Sequence, residues 1–179
     1  RGLGDVYKRQ SVLREIAEKH EVDIDPKWDA EKLVTELFGE IVEPTLVNPT
    51  FVYDYPPSAQ PLARPHRSGE PLIEAWDLII GGMERGTAFS ELIDPVIQRE
   101  RLTAQSLLAA AGDDEAMELD EDFLRALEHG APPMGGLGLG IDRLIMLLAG
   151  DQDPERPGTV VRQPGIRETI LFPLMKPEA

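Results

Sequence analysis

Hydrophobic positions along this chain follow two different periods. Over Ser11 to His20 and Asp29 to Glu40 they recur every three or four residues, in the second stretch at Leu33, Val34, Leu37 and Phe38. That spacing predicts two amphipathic helices with their stripes in a core, the second closed by Pro44. Further along, the period drops to two. Alternation sets Trp76, Leu78 and Ile80 on one face of a strand and Asp77 and Ile79 on the other, and it groups Thr87, Phe89 and Glu91 on one face of the next strand, with Gly81 and Gly82 turning between them. Phe51 to Tyr53 reads as a short strand ahead of a proline-rich loop, and Gln60 to Pro71 as a mobile segment. Pro95 suits the first turn of a helix that runs through Gln98, Leu102, Leu107 and Leu108 to a stop at Gly112, and Asp120 caps another from Glu121 to His129 that ends at Gly130.

The last third begins with a glycine-rich strand from Met134 that runs directly into an apolar helix ending near Leu148. Asp151 to Gly165, rich in proline, glycine and charge, reads as a surface loop, and Ile166 to Phe172 as a final strand. The pattern is α+β without internal repeats.

Composition narrows the partners. The 179 residues hold 33 acids against 18 lysines and arginines, a net charge of −15. Such a chain is a poor nucleic-acid binder by itself, because phosphate contact needs cations. It has no cysteine, hence neither a disulfide framework nor a thiolate zinc site. No apolar run reaches membrane-spanning length, so a cytoplasmic protein with no membrane partner is expected. His20 and His129 lack partner spacing for metal or nucleophilic chemistry and read as structural. The acidic Asp113 to Asp122 stretch lacks the central glycine and ligand alternation of a calcium loop.

Candidate chemistry sits in two stretches. Gly136, Gly138 and Gly140 remove alternate side chains just before a helix start, leaving bare backbone for a planar ligand, while Arg143 offers a fork for phosphate and a flat cation for stacking. The run is neither a dinucleotide fingerprint, which needs glycine where Arg143 stands, nor a P-loop. Upstream, Asp77 and Glu84 on neighbouring strands are a carboxylate pair suited to magnesium with nucleotide phosphates, or else solvated surface acids. Phe89 beside Glu91 suits an ammonium-bearing ligand: the acid pairs the charge and the ring supports an aliphatic stem. His66 and Arg67 are expected to be solvated, with contact to a nucleotide as the alternative.

Gly138-Leu139-Gly140-Ile141-Asp142-Arg143 resembles the third signature motif of class II aminoacyl-tRNA synthetases. With Asn48 to Pro56, Pro61 to Arg64, Phe89 to Leu92, Ala111 to Met117, Leu127 to Gly130 and Ile166 to Pro173, nearly everything from Ser11 to Pro177 resembles the C-terminal part of the catalytic domain of bacterial lysyl-tRNA synthetases, subclass IIb. The exception is Asp151 to Gly165, which interrupts the family pattern as an insertion. Aspartyl and asparaginyl relatives share the motif, but their substrates are not cationic, and Phe89-Ser90-Glu91 argues against them.

The resemblance implies part of an antiparallel sheet flanked by helices, with the last strand beside the active site. It assigns Asp77 and Glu84 to Mg2+ held against the phosphates of ATP, and Arg143, with Glu84, Gly138 and Gly140, to ATP itself. Lysine would be read by Glu91 at its ε-ammonium, by Phe89 along its side chain and by Thr87 at its carboxylate. Two positions depart from the family. Thr87 replaces a usual asparagine, leaving a shorter contact or one through water, and Asp77 replaces a more frequent glutamate, shortening the reach by one methylene.

The implied activity is that of a lysine–tRNA ligase: lysyl-adenylate forms from lysine and ATP, and the lysyl group passes to tRNA(Lys), in a homodimer. The alternatives are a lysyl-transferring paralogue acting on a translation factor or a membrane lipid, and a half-domain that dimerises or regulates without catalysis. Upstream sequence separates the acceptors, since an anticodon-binding OB domain implies tRNA and a long transmembrane region implies lipid. The second signature hairpin and the OB domain of the family are absent from these residues, so the chain alone is expected to lack aminoacylation. Asp5 to Gln10 back-translates to GATGTGTATAAGAGACAG, a transposon end, and residues 1–10 are therefore expected to be a sequencing artefact, with 11–179 the domain portion.

Overall fold

The computed structural model describes residues 3–112, 116–152, 154–155, 160–162 and 164–171. A four-stranded antiparallel sheet in the order β1–β2–β3–β4 forms its centre: β1 (Thr50–Tyr53), β2 (Ala75–Ile79), β3 (Glu84–Ser90) and β4 (Gly135–Leu139). Before it come α1 (Leu3–Lys19) and α2 (Ala30–Leu37); α3 (Pro95–Ala110) and α4 (Glu121–Glu128) join β3 to β4, and α5 (Ile141–Leu148) follows β4. The sheet with its flanking helices is the α+β arrangement expected.

The local causes are mostly those the spacing implies. Asp29, Asp94 and Asp120 cap α2, α3 and α4 by accepting from backbone N–H groups at distances of 2.9–3.3 Å, each cap worth about 1 kcal/mol. Pro95 opens α3, and Gly112 and Gly130 take positive φ just beyond the helix ends. Leu33 and Leu37 of α2 are buried, whereas Val34, expected in the same stripe, is 44% exposed. Instead of continuing to Glu40, α2 gives way to a π turn (Phe38–Val42) and a 3-10 turn (Glu43–Thr45) that contains Pro44. These turns bring Leu46 and Val47 under the β2–β3 connection, where Gly81 and Gly82 donate to their carbonyls at 2.9 and 3.0 Å. A side chain at Gly82 would strike the Pro44 carbonyl at 2.8 Å, and its φ of +68° disfavours one as well.

Four expectations are corrected. First, α1 begins at Leu3, well before Ser11. Second, Gln60–Pro71 is no mobile segment: Ala63 is fully buried, Arg64 N donates to Ser90 O at 2.8 Å and Glu74 N to Arg64 O at 2.9 Å. Bridges Ala63 to Glu91 and Pro65 to Ile73 extend the sheet there, and α3 anchors the segment through Arg101 Nη1 on the Ala63 carbonyl at 2.6 Å. Satisfied backbone groups and a buried alanine fix a segment that proline content alone made look loose. Third, the expected loop at 151–165 contains a small two-stranded sheet, β5 (Asp151–Gln152) with β6 (Val160–Arg162). Fourth, the strand expected at Ile166–Phe172 is a helical turn, α6 (Ile166–Thr169): Glu168 reaches back to the Gly165 N–H at 2.5 Å, an N-terminal capping contact that outweighs the β-branched character of Ile166 and Ile170. Asp113 to Glu115 and Phe172 to Pro177 lie outside the described residues.

The core next to the sheet gathers Ala63, Ile73 and Ala75 with Tyr55 and Phe89 packed against them. Among the described residues no helix is long and apolar enough to cross a membrane.

Candidate functional site

Register decides what meets on the sheet. Directly paired residues share a face, so Asp77, Thr87 and Gly138 form one row across β2, β3 and β4, and Ala75, Phe89 and Gly136 the next. Glu84 stands three residues from Thr87, an odd separation that regular alternation would send to the far side. A bulge reverses this. Leu78 pairs with Gly86 but Ile79 pairs with Glu84, so Arg85 is an extra residue of β3, and Glu84 returns to the face of Asp77 and Thr87.

At the Phe89 end of this face, the Glu91 side chain lies across Gly136: a Cβ added at Gly136 would collide with the Glu91 carboxylate. Glycine there is a spatial requirement. Burial pushes the Glu91 carboxyl above its usual range. Thr87 lies between, its Oγ1 buried with no hydrogen-bond partner. The hydroxyl therefore offers no surface to a ligand in this conformation.

At the other end, Arg143 from the first turn of α5 extends past Gly140, whose absent Cβ would be 3.4 Å from Arg143 Cδ, and donates from Nη1 to the Glu84 carbonyl at 3.0 Å. Its guanidinium is 3.8 Å from the Glu84 carboxylate, and both side chains are more than a third exposed, so the ion pair itself is weak. Glu84 is held above the usual carboxylate range, first by burial and then by Asp77, against the opposing pull of Arg143. Glu43, from the turn after α2, adds to this and accepts from the Glu84 N–H at 3.2 Å. Tyr55 is likewise pushed far up, by burial first and then by its hydrogen bond to Asp77. This corner carries more negative charge than it neutralises.

Among the described residues no group of three or more His, Cys, Asp or Glu is arranged to hold a metal ion by itself. Magnesium needs less: one or two carboxylates with substrate phosphates complete its shell. Asp77 and Glu84, on one face and mutually repelling, meet that description.

Sequence reasoning singled out Asp77, Glu84, Thr87, Phe89, Glu91, Gly138, Gly140 and Arg143, and the sheet and α5 bring them to one side. It missed Glu43, which arrives from a distant turn without any pattern, and Arg85, whose signal was an arginine amid strand residues of small or apolar type. Arg67 is solvent-exposed, as expected, and still grips Glu74 with two bonds of 2.6 and 2.9 Å, while His66 lies 3.4 Å from Asp54. With Tyr53, Trp76 and Ser90 they line a cavity of about 450 Å³.

Comparison with known proteins identifies the family. The family of class II tRNA synthetases (D, K and N) matches residues 11–176. Similar curated proteins are the lysylphosphatidylglycerol biosynthesis bifunctional proteins LysX of Gordonia bronchialis, 50% identical over 167 residues (93% of this chain, 14% of the relative), and of Nocardia farcinica, 51% identical over 165 residues (92% and 14%). LysX of Mycobacterium tuberculosis is 51% identical over 167 residues, 93% of this chain and 13% of that protein. The chain thus spans about one-seventh of the length of these relatives.

Proposed function

This chain belongs to the class II tRNA synthetase family of the D, K and N group, and from that membership we propose that it forms the lysine- and ATP-binding wall of a lysyl-activating domain that serves lipid lysylation. The observation that carries the reading is the Glu91 carboxylate, buried enough to be held above its usual range, lying over bare Gly136 with Phe89 in the neighbouring row. A desolvated acid beside an aromatic ring fits an ammonium on an aliphatic stem. The relatives' name, lysylphosphatidylglycerol biosynthesis, favours a lipid as the final lysyl acceptor over a stand-alone lysine–tRNA ligase. Lysyl-tRNA is the intermediate carrier in this proposal, and a homodimer remains its expected assembly.

The chemistry proposed is adenylation. A lysine carboxylate oxygen attacks the α-phosphorus of ATP, the new acyl–O–P bond forms, the bond to the β-phosphate bridging oxygen breaks, and pyrophosphate leaves with that electron pair. Nothing here needs a general base, because the nucleophile is already an anion; positioning and charge carry the rate. Glu91 and Phe89 would fix the lysine side chain, and Thr87 would border its carboxylate end. Arg143 would stack on adenine and reach the γ-phosphate, with Gly138 and Gly140 giving the nucleotide flat backbone to approach. Asp77 and Glu84 would hold Mg2+, which supplies charge neutralisation for the phosphates when bound.

Calorimetric titration of the chain with lysine and with norleucine, its neutral analogue, tests the reading. Lysine is expected to bind and norleucine not, and Glu91→Gln should cut lysine affinity by about 10–100-fold, the loss of a charge-assisted hydrogen bond. Equal binding of the two amino acids overturns the proposal. The acceptor is tested by sequencing the source DNA upstream of the Ser11 codon: a transmembrane region in frame supports lipid lysylation, and an OB domain without one returns the reading to a lysine–tRNA ligase.

A further inference from the structure

Arg85 is fully buried, the largest such side chain among the described residues, and the adenylation reading gives it no task. It is the extra residue of the β3 bulge. From its guanidinium, Nε donates to the Ile80 carbonyl at 3.1 Å, and Nη1 to the Arg143 carbonyl at 2.6 Å and to Met83 Sδ at 3.4 Å. Its own carbonyl accepts from the Gly140 N–H at 3.0 Å. In return, the Arg143 side chain bonds the carbonyl of Glu84 at 3.0 Å. Two adjacent residues of β3 and two ends of the Gly140–Arg143 turn are thereby tied crosswise.

The tie costs something, since burial lowers the pKa of Arg85 and the nearby Arg143 charge adds to the penalty. A buried apolar residue would fill the volume without that cost. What an apolar residue lacks is the fork that bonds two carbonyls on different elements at once.

We propose that Arg85 is a positioning residue for the nucleotide: by fixing the bulge and the first turn of α5 together, it sets the Glu84 carboxylate and the Arg143 guanidinium at a constant separation on one face. The proposal rests on the reading of Glu84 and Arg143 as ATP-facing groups. It adds that their mutual geometry is held from behind, by a cation no ligand touches. The expected consequence is selective. Nucleotide affinity should depend on Arg85 and lysine affinity should not, because Phe89 and Glu91 are held at the other end of β3 by Gly136, Met134 and Ala63.

The test uses the chain with Arg85→Met, which keeps length and removes the donors, and Arg85→Lys, which keeps the charge and loses the fork. Three quantities are read: MgATP affinity by equilibrium dialysis, lysine affinity by calorimetry, and amide exchange at Gly140 and Leu144, whose N–H groups bond Arg85 O and Gly140 O. For Arg85→Met, MgATP affinity should fall by about tenfold or more. Lysine affinity should stay within about twofold, and exchange at both amides should quicken at least about tenfold. Arg85→Lys should lie between Arg85→Met and the parent. Parallel loss of ATP and lysine affinity, or unchanged exchange at Gly140 and Leu144, overturns the proposal; if Arg85→Met does not fold, the same criteria apply to Arg85→Lys. Arg143→Ala separates the two levels. If it leaves MgATP affinity unchanged the nucleotide reading fails, whereas if it weakens MgATP and the Arg85 variants do not, only the positioning role fails.

Discussion

The two faces of the central sheet use carboxylates in opposite ways. Glu74 lies one residue before β2, on the side of Trp76, and its carboxylate is satisfied from within the protein: Arg67 forks onto it, and with Ser90 pulls its pKa down to about 2. On the side of Asp77 and Thr87, Glu84 and Glu91 are both held above the usual carboxylate range, chiefly by burial, and the Arg143 pull on Glu84 does not reverse it. One face has spent its acids on structure. The other keeps acids partly desolvated and under-compensated, a state that costs stability and persists where a cation from outside offsets it. The contrast extends to packing: Phe51 meets Trp76 edge-on at 5.0 Å on the first face, while the second is lined by Gly136 and Gly138.

The strongest way to break this contrast is to add carbon to the glycine rows. Gly136→Val pushes a side chain into the Glu91 carboxylate, whereas a Cβ at Gly138 finds Thr87 Cγ2 at an ordinary 3.7 Å. Gly136→Val is therefore expected to reduce lysine affinity by about 100-fold or more and to lower stability by about 1–3 kcal/mol through overpacking. Gly138→Ala should leave stability within about 1 kcal/mol, since in a strand it also restricts the unfolded chain. Thermal melts and lysine titrations on the pair check this. Equal damage from the two variants would mean that Glu91 does not lie over Gly136 in solution.

Acid sharpens the same comparison with a smaller effect and opposite signs. Glu74 has a folded pKa of about 2 against an ordinary 4.5, so its stabilising contribution is present above that ordinary value and is lost as pH falls toward about 2. Glu91 is raised, so its contribution is present below its ordinary 4.5 and is lost as pH rises through its folded value. Denaturant melts from neutral to acid should show Glu74→Gln flattening the acid loss and Glu91→Gln steepening it. Lysine binding adds a third reading: affinity should hold near neutrality and then fall, by up to about tenfold per pH unit, starting above the ordinary glutamate pKa. An onset below that point would remove the desolvated acid from the site.

How much of this was legible depended on how local the cause was. The cap at Asp120, Pro95 in the first turn of α3 and the positive-φ glycines at 112 and 130 are one-turn signals, and the structure uses each where its spacing implied; the caps at Asp29 and Asp94 came from the structure. The grouping of Thr87, Phe89 and Glu91 followed from period two alone. The side taken by Glu84 did not, because alternation counts residues and a bulge changes the count; only pairing with β2 exposes Arg85 as the extra one. Gln60–Pro71 misled for a related reason. Its order comes from Arg101 and Gln98 of α3 and from Ser90 of β3, partners too far along the chain for a local reading. The tail erred in the other direction: isoleucines at 166 and 170 spoke for a strand, and a single return contact from Glu168 to Gly165 made a helical turn.

The smallest expected effect falls on Thr87, in the middle of the ligand face. Its Oγ1 is buried without a partner, a condition that costs about 1–3 kcal/mol relative to a hydroxyl that is bonded or solvated. Thr87→Val keeps the shape and the β-branching that suits a strand while replacing that hydroxyl by a methyl. The variant should therefore be as stable as the parent or more so, by up to about 1 kcal/mol. Because the hydroxyl presents no surface to the ligand, lysine affinity should stay within about twofold. A melt and a lysine titration decide between two roles for the position. If affinity instead falls about tenfold, the hydroxyl rotates outward on binding and takes up the carboxylate contact expected where the family has asparagine, with lysine itself supplying the partner it lacks. If affinity holds, Thr87 contributes shape alone, and the carboxylate must be met by groups outside these strands.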